Sequence, residues 1–261
     1  MHLKLIALDL DKTLLHNDNS ISDYSIDILT ECQQRGIIIA IATARSEYSA
    51  KKYLDKINPD VVITSGGAIA KLGNRVIHKA LIPQEVLNSI IQSTINHPLI
   101  NCIRVMGEIH ELSNKTGLPK GKKDYGHYDY SDFKEALHED ALKIQFETSD
   151  INFLESLIRK YPDCELISYR NENLHKIANT LANKLDAIRS VCYACNIQLA
   201  EIAAFGDDMS DFKLLEAVGM GIAVENAVEV VKNVADFVCP SNDEDGVAIY
   251  IERYIRGIYY A

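Results

Sequence analysis

The chain lacks any excess of positive charge. Its 261 residues hold 27 Lys and Arg against 37 Asp and Glu, a formal net charge of -10. A nucleic-acid surface needs clustered cations on a basic background, so no nucleic-acid partner is expected. The one basic stretch, 115–123, is interrupted by Gly117, Pro119 and Gly121 and reads as a solvated loop. Also missing are an apolar run near the ~18 residues that span a bilayer and the charged, apolar, small-residue pattern of a secretory leader. The expectation is therefore no membrane partner and a cytoplasmic location. Six cysteines in a chain of this length do not make a disulfide scaffold. Cys192-Tyr193-Ala194-Cys195 is a CxxC in a helix-like stretch with no second pair to complete a zinc site, and it reads as small buried residues. Internal repeats and low-complexity segments are absent too.

What is present is an alternation of strand and helix patterns. Leu3 to Leu8 is apolar, Ser22 to Arg35 has helical spacing with Gly36 as its stop, and Ile37 to Ala42 is apolar again. A helix over Glu47 to Lys56 and a short strand over Val61 to Thr64 follow. Continuously apolar strands separated by amphipathic helices predict a parallel sheet covered on both faces. The pattern changes near Pro83. A helix over Gln84 to Thr94 leads to strands at Leu99 to Met106 and Glu108 to Leu112, joined at Gly107 as a tight hairpin. Then come a helix near Ser131 to His138, a strand over Ala141 to Thr148, a helix from Ser149 to Tyr161, and strands at Glu165 to Tyr169 and Leu174 to Ala178. Hairpins beside helices describe an α+β module with an antiparallel sheet. From Asn183 the α/β pattern returns: a helix through Cys195, a strand at Ile202 to Phe205, a helix over Ser210 to Val218, and strands at Gly221 to Val224 and Phe237 to Cys239. The expected fold is an α/β, Rossmann-like, doubly wound parallel sheet formed by 1–82 and 183–261, with an α+β domain, 83–182, inserted into it.

Chemistry gathers where the core strands end, which is where open parallel sheets bind ligands. Asp9-Leu10-Asp11-Lys12-Thr13 follows the first strand. Acids at i and i+2 on an extended segment point to the same side and can share a divalent cation or a phosphoryl group. A single Asp there would be a turn former or helix cap. Two of them around Leu10 are harder to explain as turn chemistry. Thr43 and Arg45 follow the second strand, and Thr43 alone reads as an N-cap for the next helix. Ser65-Gly66-Gly67 follows the third. Gly206-Asp207-Asp208-Met209-Ser210-Asp211 follows the fourth, and three carboxylates within five residues are the oxygen ligands that Mg²⁺ selects. A helix dipole explains one or two of those acids but not all three.

Taken in order, Asp9-Leu10-Asp11-Lys12-Thr13-Leu14, Thr43-Ala44-Arg45, Lys184 and Gly206-Asp207-Asp208-Met209-Ser210-Asp211 resemble the four signature motifs of the haloacid dehalogenase superfamily. The whole chain is similar to its Cof-type phosphatases, which carry a large α/β cap between the second and third motifs. Ala223-Val224-Glu225-Asn226-Ala227 and Asn242-Asp243-Glu244-Asp245-Gly246-Val247 resemble that subgroup's C-terminal signatures. Three positions depart from the pattern: Ser210 and Gly66 stand where relatives usually have Asn, and Leu185 replaces the Gly that usually follows the lysine. Lys176 is a competitor for the lysine role.

The resemblance implies a Mg²⁺-dependent phosphatase acting on a small phosphorylated metabolite through an aspartyl-phosphate. It assigns Asp9 as nucleophile and Asp11 as proton donor and acceptor. Thr43, Ala44, Arg45 and Lys184 would bind the phosphate. The metal would be held by Asp9, Asp11 through its carbonyl, and Asp207, with Asp211 and Asp208 orienting its waters. The cap would select the substrate, with Arg104, His110, Lys122, Tyr125 and His127 as possible contacts. The implied assembly is a monomer or weak homodimer. Two rival readings are a phosphotransferase or mutase using the same aspartates and a non-enzymatic phosphoacceptor module.

Overall fold

A computed structural model describes residues 3–108, 110–116, 128–168 and 173–258 of the chain. Two compact units divide it: 1–79 with 183–261, and 80–182. In chain order the first unit opens with β1 (Leu5–Leu8), α1 (Asp23–Gln34), β2 (Ile38–Ala42), α2 (Glu47–Ile57), β3 (Val61–Thr64), β4 (Ile69–Leu72) and β5 (Arg75–Lys79). The inserted unit comprises α3 (Gln84–Thr94), β6 (Ile100–Gly107), β7 (Glu111–Ser113), β8 (Asp129–Tyr130), β9 (Ala141–Thr148), α4 (Ile151–Ile158), β10 (Cys164–Ser168) and β11 (Leu174–Asn179). The first unit then closes with α5 (Lys184–Cys195), β12 (Ile202–Gly206), α6 (Phe212–Ala217), β13 (Met220–Val224), α7 (Glu229–Lys232), β14 (Phe237–Cys239) and α8 (Gly246–Ile255). No helix among the described residues is long and apolar enough to cross a membrane.

The first unit's sheet runs β14-β13-β12-β1-β2-β3-β4-β5. Its six strands from β14 to β3 are parallel, with Leu5 paired to Ile202 on one side and to Ile38 on the other. Leu5 to Leu8 are all fully buried, as a central strand covered on both faces requires. Helices fall into two packing groups: α1 lies on α8 and α2, and α5 lies on α6. Their ends follow side-chain chemistry. Ser22, Ser46 and Asn183 accept hydrogen bonds from Ser25, Ser49 and Asp186 backbone N–H groups, while Asn58 and Asn196 close α2 and α5 in the left-handed conformation.

The antiparallel hairpin β4–β5 is an addition to the expected parallel core. Its signal was the Gly73-Asn74 pair between two short apolar segments, which is hairpin turn chemistry. The turn that reverses the chain from β3 into β4 holds Ser65, Gly66 and Gly67 at φ 54°, 75° and 107°. Hydrogen bonds from Ser65 N to Arg45 O, Gly66 N to Thr43 O and Gly67 N to Thr64 O fix it. Gly67 lies against the backbone of Asn183, the residue that caps α5 directly before Lys184.

In the inserted unit the sheet order is β10-β11-β9-β6-β7-β8. Ile103, Val105, Ile144, Phe146 and Ile177 turn one face toward α3 (Leu87, Ile90, Ile91) and α4 (Leu154, Leu157), forming a second apolar core. Strand alternation puts Arg104, Lys143, Gln145 and Lys176 on the opposite face.

Several local expectations need correction. Residues 131–138 form no helix. Ser131 and Asp132 side chains accept from the N–H groups of Phe133 and Lys134, Phe133 is held at φ 53° with its ring buried, and Asn88 bonds Leu137 N and O. Such side-chain bonds offer the backbone an alternative to a helix, and the burial of Phe133 selects it. β7 begins at Glu111 instead of Glu108. The fourth helix starts at Ile151 because Asp150 caps it by accepting from Phe153 N, and it ends at Ile158. Tyr169, assigned to the end of a strand, lies outside the described residues.

Replacing Gly67 by Ala should destabilise the fold. A Cβ there would stand 2.2 Å from the Asn183 carbonyl carbon at a φ that L-residues avoid. A loss of about 2 kcal/mol or more is expected in denaturant unfolding. Gly73→Ala, at φ +55° with open space around it, should lose about 1 kcal/mol.

Candidate active site

β1 ends at Leu8, and the backbone then makes one wide turn over Leu10–Leu14. Leu14 N and Leu15 N donate to the carbonyls of Asp9 and Leu10, and Lys12 adopts φ 58° to close the turn. Distant residues hold it in place. Asn226 Nδ2 donates to Lys12 O at 2.7 Å, and Asn242 Nδ2 donates to Leu15 O at 2.9 Å. Asn242 N also donates to Asn226 Oδ1, which fixes the two amides relative to each other. Slightly further along, Asp245 Oδ1 accepts from Ser22 Oγ and pairs with His16 Nε2. The C-terminal signatures noted in the sequence thus act as a brace on the turn that follows Asp9.

Asp9, Asp207 and Asp211 converge, each offering an oxygen within 4.8 Å of the others. Lys184 Nζ lies 2.6 Å from Asp9 Oδ1 and 2.5 Å from Asp211 Oδ1, with only 1% of its side chain exposed. Asp211 Oδ2 accepts from the backbone N–H groups of Asp207 and Asp208. Gly206 makes this possible, since a Cβ there would sit 2.4 Å from Asp211 Cβ. The remaining acid is tied by Thr13, whose buried hydroxyl donates to Asp207 Oδ1 at 3.1 Å.

One ammonium faces three carboxylates here, so the cluster carries excess negative charge away from water. Burial pushes Asp9 up to about 8; Lys184 pulls against this, and Asp211 and Asp207 add to it. Burial and the Asp211 carboxylate push Asp207 up to about 7. Burial acts to lower Lys184, but Asp211 and Asp9 outweigh it and hold the ammonium charged. Protons or a divalent cation relieve such a deficit. An all-oxygen, mostly buried donor set with surplus negative charge fits Mg²⁺, a hard cation that prefers carboxylate and water ligands.

Asp11 turns elsewhere. Arg45 grips it with two bonds, Nε to Oδ2 at 2.8 Å and Nη2 to Oδ1 at 2.5 Å. The Arg45 side chain is 9% exposed and the Asp11 side chain 43%, so Arg45 is a buried anchor instead of a solvated surface residue. Its guanidinium also stands 5.1 Å from the Tyr53 ring centre. Thr43 is fully buried at the end of β2, where its Oγ1 accepts from Arg45 N. Ser46, not Thr43, caps α2. Ala44 is exposed between them. Asp208 lies outside the three-acid cluster, and its Oδ1 accepts from Met209 N. Lys176 belongs to β11 of the inserted unit, whereas Lys184 sits among the acids. Of the other candidates, His110 pairs with Glu139 and Arg104 is buried on β6, while Lys122, Tyr125 and His127 fall outside the described residues. Thr13, Asn226 and Asn242 had no assigned place in the site. Their signal was the motif stretches that contain them.

A parallel sheet whose strand ends gather acids, a buried lysine and hydroxyls defines an α/β protein with its candidate site where open sheets bind ligands. The chain belongs to the haloacid dehalogenase-like hydrolases, whose family model matches residues 6–251. It is 26% identical to the 5-amino-6-(5-phospho-D-ribitylamino)uracil phosphatase YwtE of Bacillus subtilis (strain 168), over 98% of this chain and 100% of that protein. The phosphatase YwpJ of the same organism is 24% identical, over 94% of this chain and 98% of that protein. Among solved structures, a phosphatase of the haloalkanoate enzyme superfamily from Bacteroides thetaiotaomicron superposes with a TM-score of 0.83 at 23% identity, over 98% of this chain and 96% of that one.

The raised carboxylates make a pH-dependent prediction. Asp9 and Asp207 keep protons in the folded chain that they release on unfolding, where their ordinary value is 3.8. Their share of stability is therefore complete at low pH and is lost as pH rises towards 8. A divalent cation bound by these carboxylates would take the place of those protons. Adding Mg²⁺ should raise the melting temperature more at about pH 8.5 than at about pH 6, read by calorimetry. An equal rise at both would contradict it.

Proposed function

We propose that this protein is a Mg²⁺-dependent phosphatase that hydrolyses a small phosphorylated metabolite, of the sugar-phosphate kind, through an aspartyl-phosphate on Asp9. The observation that carries this reading is Lys184, bridging Asp9 and Asp211 inside a buried acid cluster. A carboxylate can attack a phosphate dianion only where positive charge offsets their repulsion. Asp9, Asp207, Asp211 and the carbonyl of Asp11 would hold Mg²⁺, which supplies that charge when bound.

The chain's own groups account for the rest. Asp9 attacks phosphorus, and the phosphorus–oxygen bond to the leaving group breaks as the Asp9 acyl phosphate forms. Lys184 opposes the burial that favours protonated Asp9, and it neutralises a non-bridging oxygen of the transferring group. The Thr43 hydroxyl donates to a second oxygen. Asp11 gives its proton to the departing oxygen and then takes one from the water that cleaves the acyl phosphate. Arg45 orients Asp11 through its two bonds, and Thr13 orients Asp207. The substrate kind is supported by the relative named for a phosphorylated ribityl compound, and by the family's character as hydrolases.

The purified protein should release inorganic phosphate from p-nitrophenyl phosphate with Mg²⁺ and stop when a chelator is added. Asp9→Asn, which exchanges one oxygen for an amide of the same shape, should lower turnover about a thousandfold or more with an unchanged circular dichroism spectrum. Lys184→Ala should be severely impaired as well. Undiminished turnover in folded Asp9→Asn protein would overturn the nucleophile assignment.

A further inference from the structure

Two parallel bonds fix a guanidinium and a carboxylate relative to each other, but they do not fix where the pair stands. Asp11 supplies little anchorage of its own, since 43% of its side chain is exposed to water. Arg45 reaches it on a long stem with many rotamers. Whatever seats the guanidinium therefore sets the place of the carboxylate.

Two further residues seat it. Arg45 Nη2 donates to Asn19 Oδ1 at 3.2 Å as well as to Asp11 Oδ1. The guanidinium carbon also stands 5.1 Å from the centre of the Tyr53 ring, within the range at which a cation is drawn to an aromatic face. Tyr53 is a firm support, because it lies on α2, is 4% exposed and packs in the apolar core of the first unit. Its hydroxyl donates to the Asn19 carbonyl at 3.2 Å. The three residues thus close a triangle. Asn19 meets Arg45 through its side chain and Tyr53 through its backbone, while Tyr53 meets Arg45 through its ring. Asn19 itself is held in a tight loop at φ 62°, where its N–H donates to His16 O at 2.9 Å and His16 N donates to Ser20 O at 3.0 Å. Glycine would suit that left-handed backbone as well, but asparagine adds an acceptor for the guanidinium.

We infer that Asn19 and Tyr53 are positioning residues for proton transfer: they seat Arg45, and through it they hold the Asp11 carboxyl where it exchanges a proton with the leaving oxygen. The inference rests on the phosphatase reading above, in which Asp11 is the acid. Neither residue belongs to the cluster of Asp9, Asp207, Asp211 and Lys184, so their removal weakens proton transfer and spares that cluster.

The leaving group supplies the readout. The nitro group of p-nitrophenolate spreads its negative charge, so that its departure needs little help from a proton, whereas unsubstituted phenolate needs much more. The ratio of kcat/KM for p-nitrophenyl phosphate over phenyl phosphate, measured on the full chain with Mg²⁺, reports how well the acid is placed. Asn19→Gly keeps the left-handed backbone and removes the acceptor. It should raise that ratio about tenfold, a part of the roughly hundredfold or more that a well-placed proton donor contributes. Tyr53→Phe keeps the ring and removes only the hydroxyl, and it should raise the ratio about threefold. A role confined to stability would slow both esters alike. An unchanged ratio in folded Asn19→Gly protein therefore overturns the inference. Should that variant fail to fold by circular dichroism, Tyr53→Phe decides by the same ratio. Failure of the phosphatase reading appears separately, as an unaltered protein that releases no phosphate from either ester, and it takes this inference with it.

Discussion

Everything in the first unit is arranged around one cation that must be buried among acids. Lys184 reaches Asp9 and Asp211 from the first turn of α5, where it is almost wholly excluded from water. Breaking such a pair strands a charge in a poor solvent, so the elements that carry the partners are constrained together. α5 is fixed by the Asn183 cap and by the Gly67 turn against its backbone. Asp211 is fixed by N–H groups of the loop that starts at Gly206. Asp9 is fixed by its place at the end of the central strand.

The wide turn after Asp9 shows how the rest of the chain serves that arrangement. A turn with a left-handed lysine and carbonyls facing outward is weak by itself. Two asparagine amides from the last fifth of the sequence supply the missing donors, and Asp245 collects the hydroxyls of Ser22 and Ser25 beside it. The result is a scaffold in which Asp9 faces inward to Lys184 and Asp11 faces outward to Arg45. Two acids separated by one residue thereby meet opposite surroundings, one desolvated and one wet.

Much of this was legible in the residues. Continuous apolar runs announced the central strands, and the acids, Thr43 and Lys184 fell at strand ends in an order that resembled one family. The structure brings Asp9, Asp207, Asp211 and Lys184 together, and it sets Asp11 on Arg45. What was not legible depended on contacts between distant positions. Thr13 is a commonplace residue until Asp207 is seen to need its hydroxyl. Arg45 was assigned to the phosphate, and its two bonds to Asp11 come from the fold around it. The helix expected at 131–138 was lost to local side-chain bonds and to one buried aromatic, neither of which the periodicity of the segment reveals. The edge hairpin β4–β5 was carried by short, weakly apolar segments whose turn residues were the clearer mark.

The pairing of β1 has a consequence for how the molecule is made. One side of the strand pairs with β2, some thirty residues away, while its other side waits for β12, reached only after the entire inserted unit. During synthesis the chain can assemble β1 to β5 early, leaving an apolar strand edge open until the last third emerges. Such an edge is a template for unwanted pairing, and a chain interrupted before β12 would keep it exposed. The same delay keeps Asp9 apart from Lys184, Asp207 and Asp211 until synthesis is nearly finished. A partial chain is therefore a hazard to solubility before it can be a catalyst.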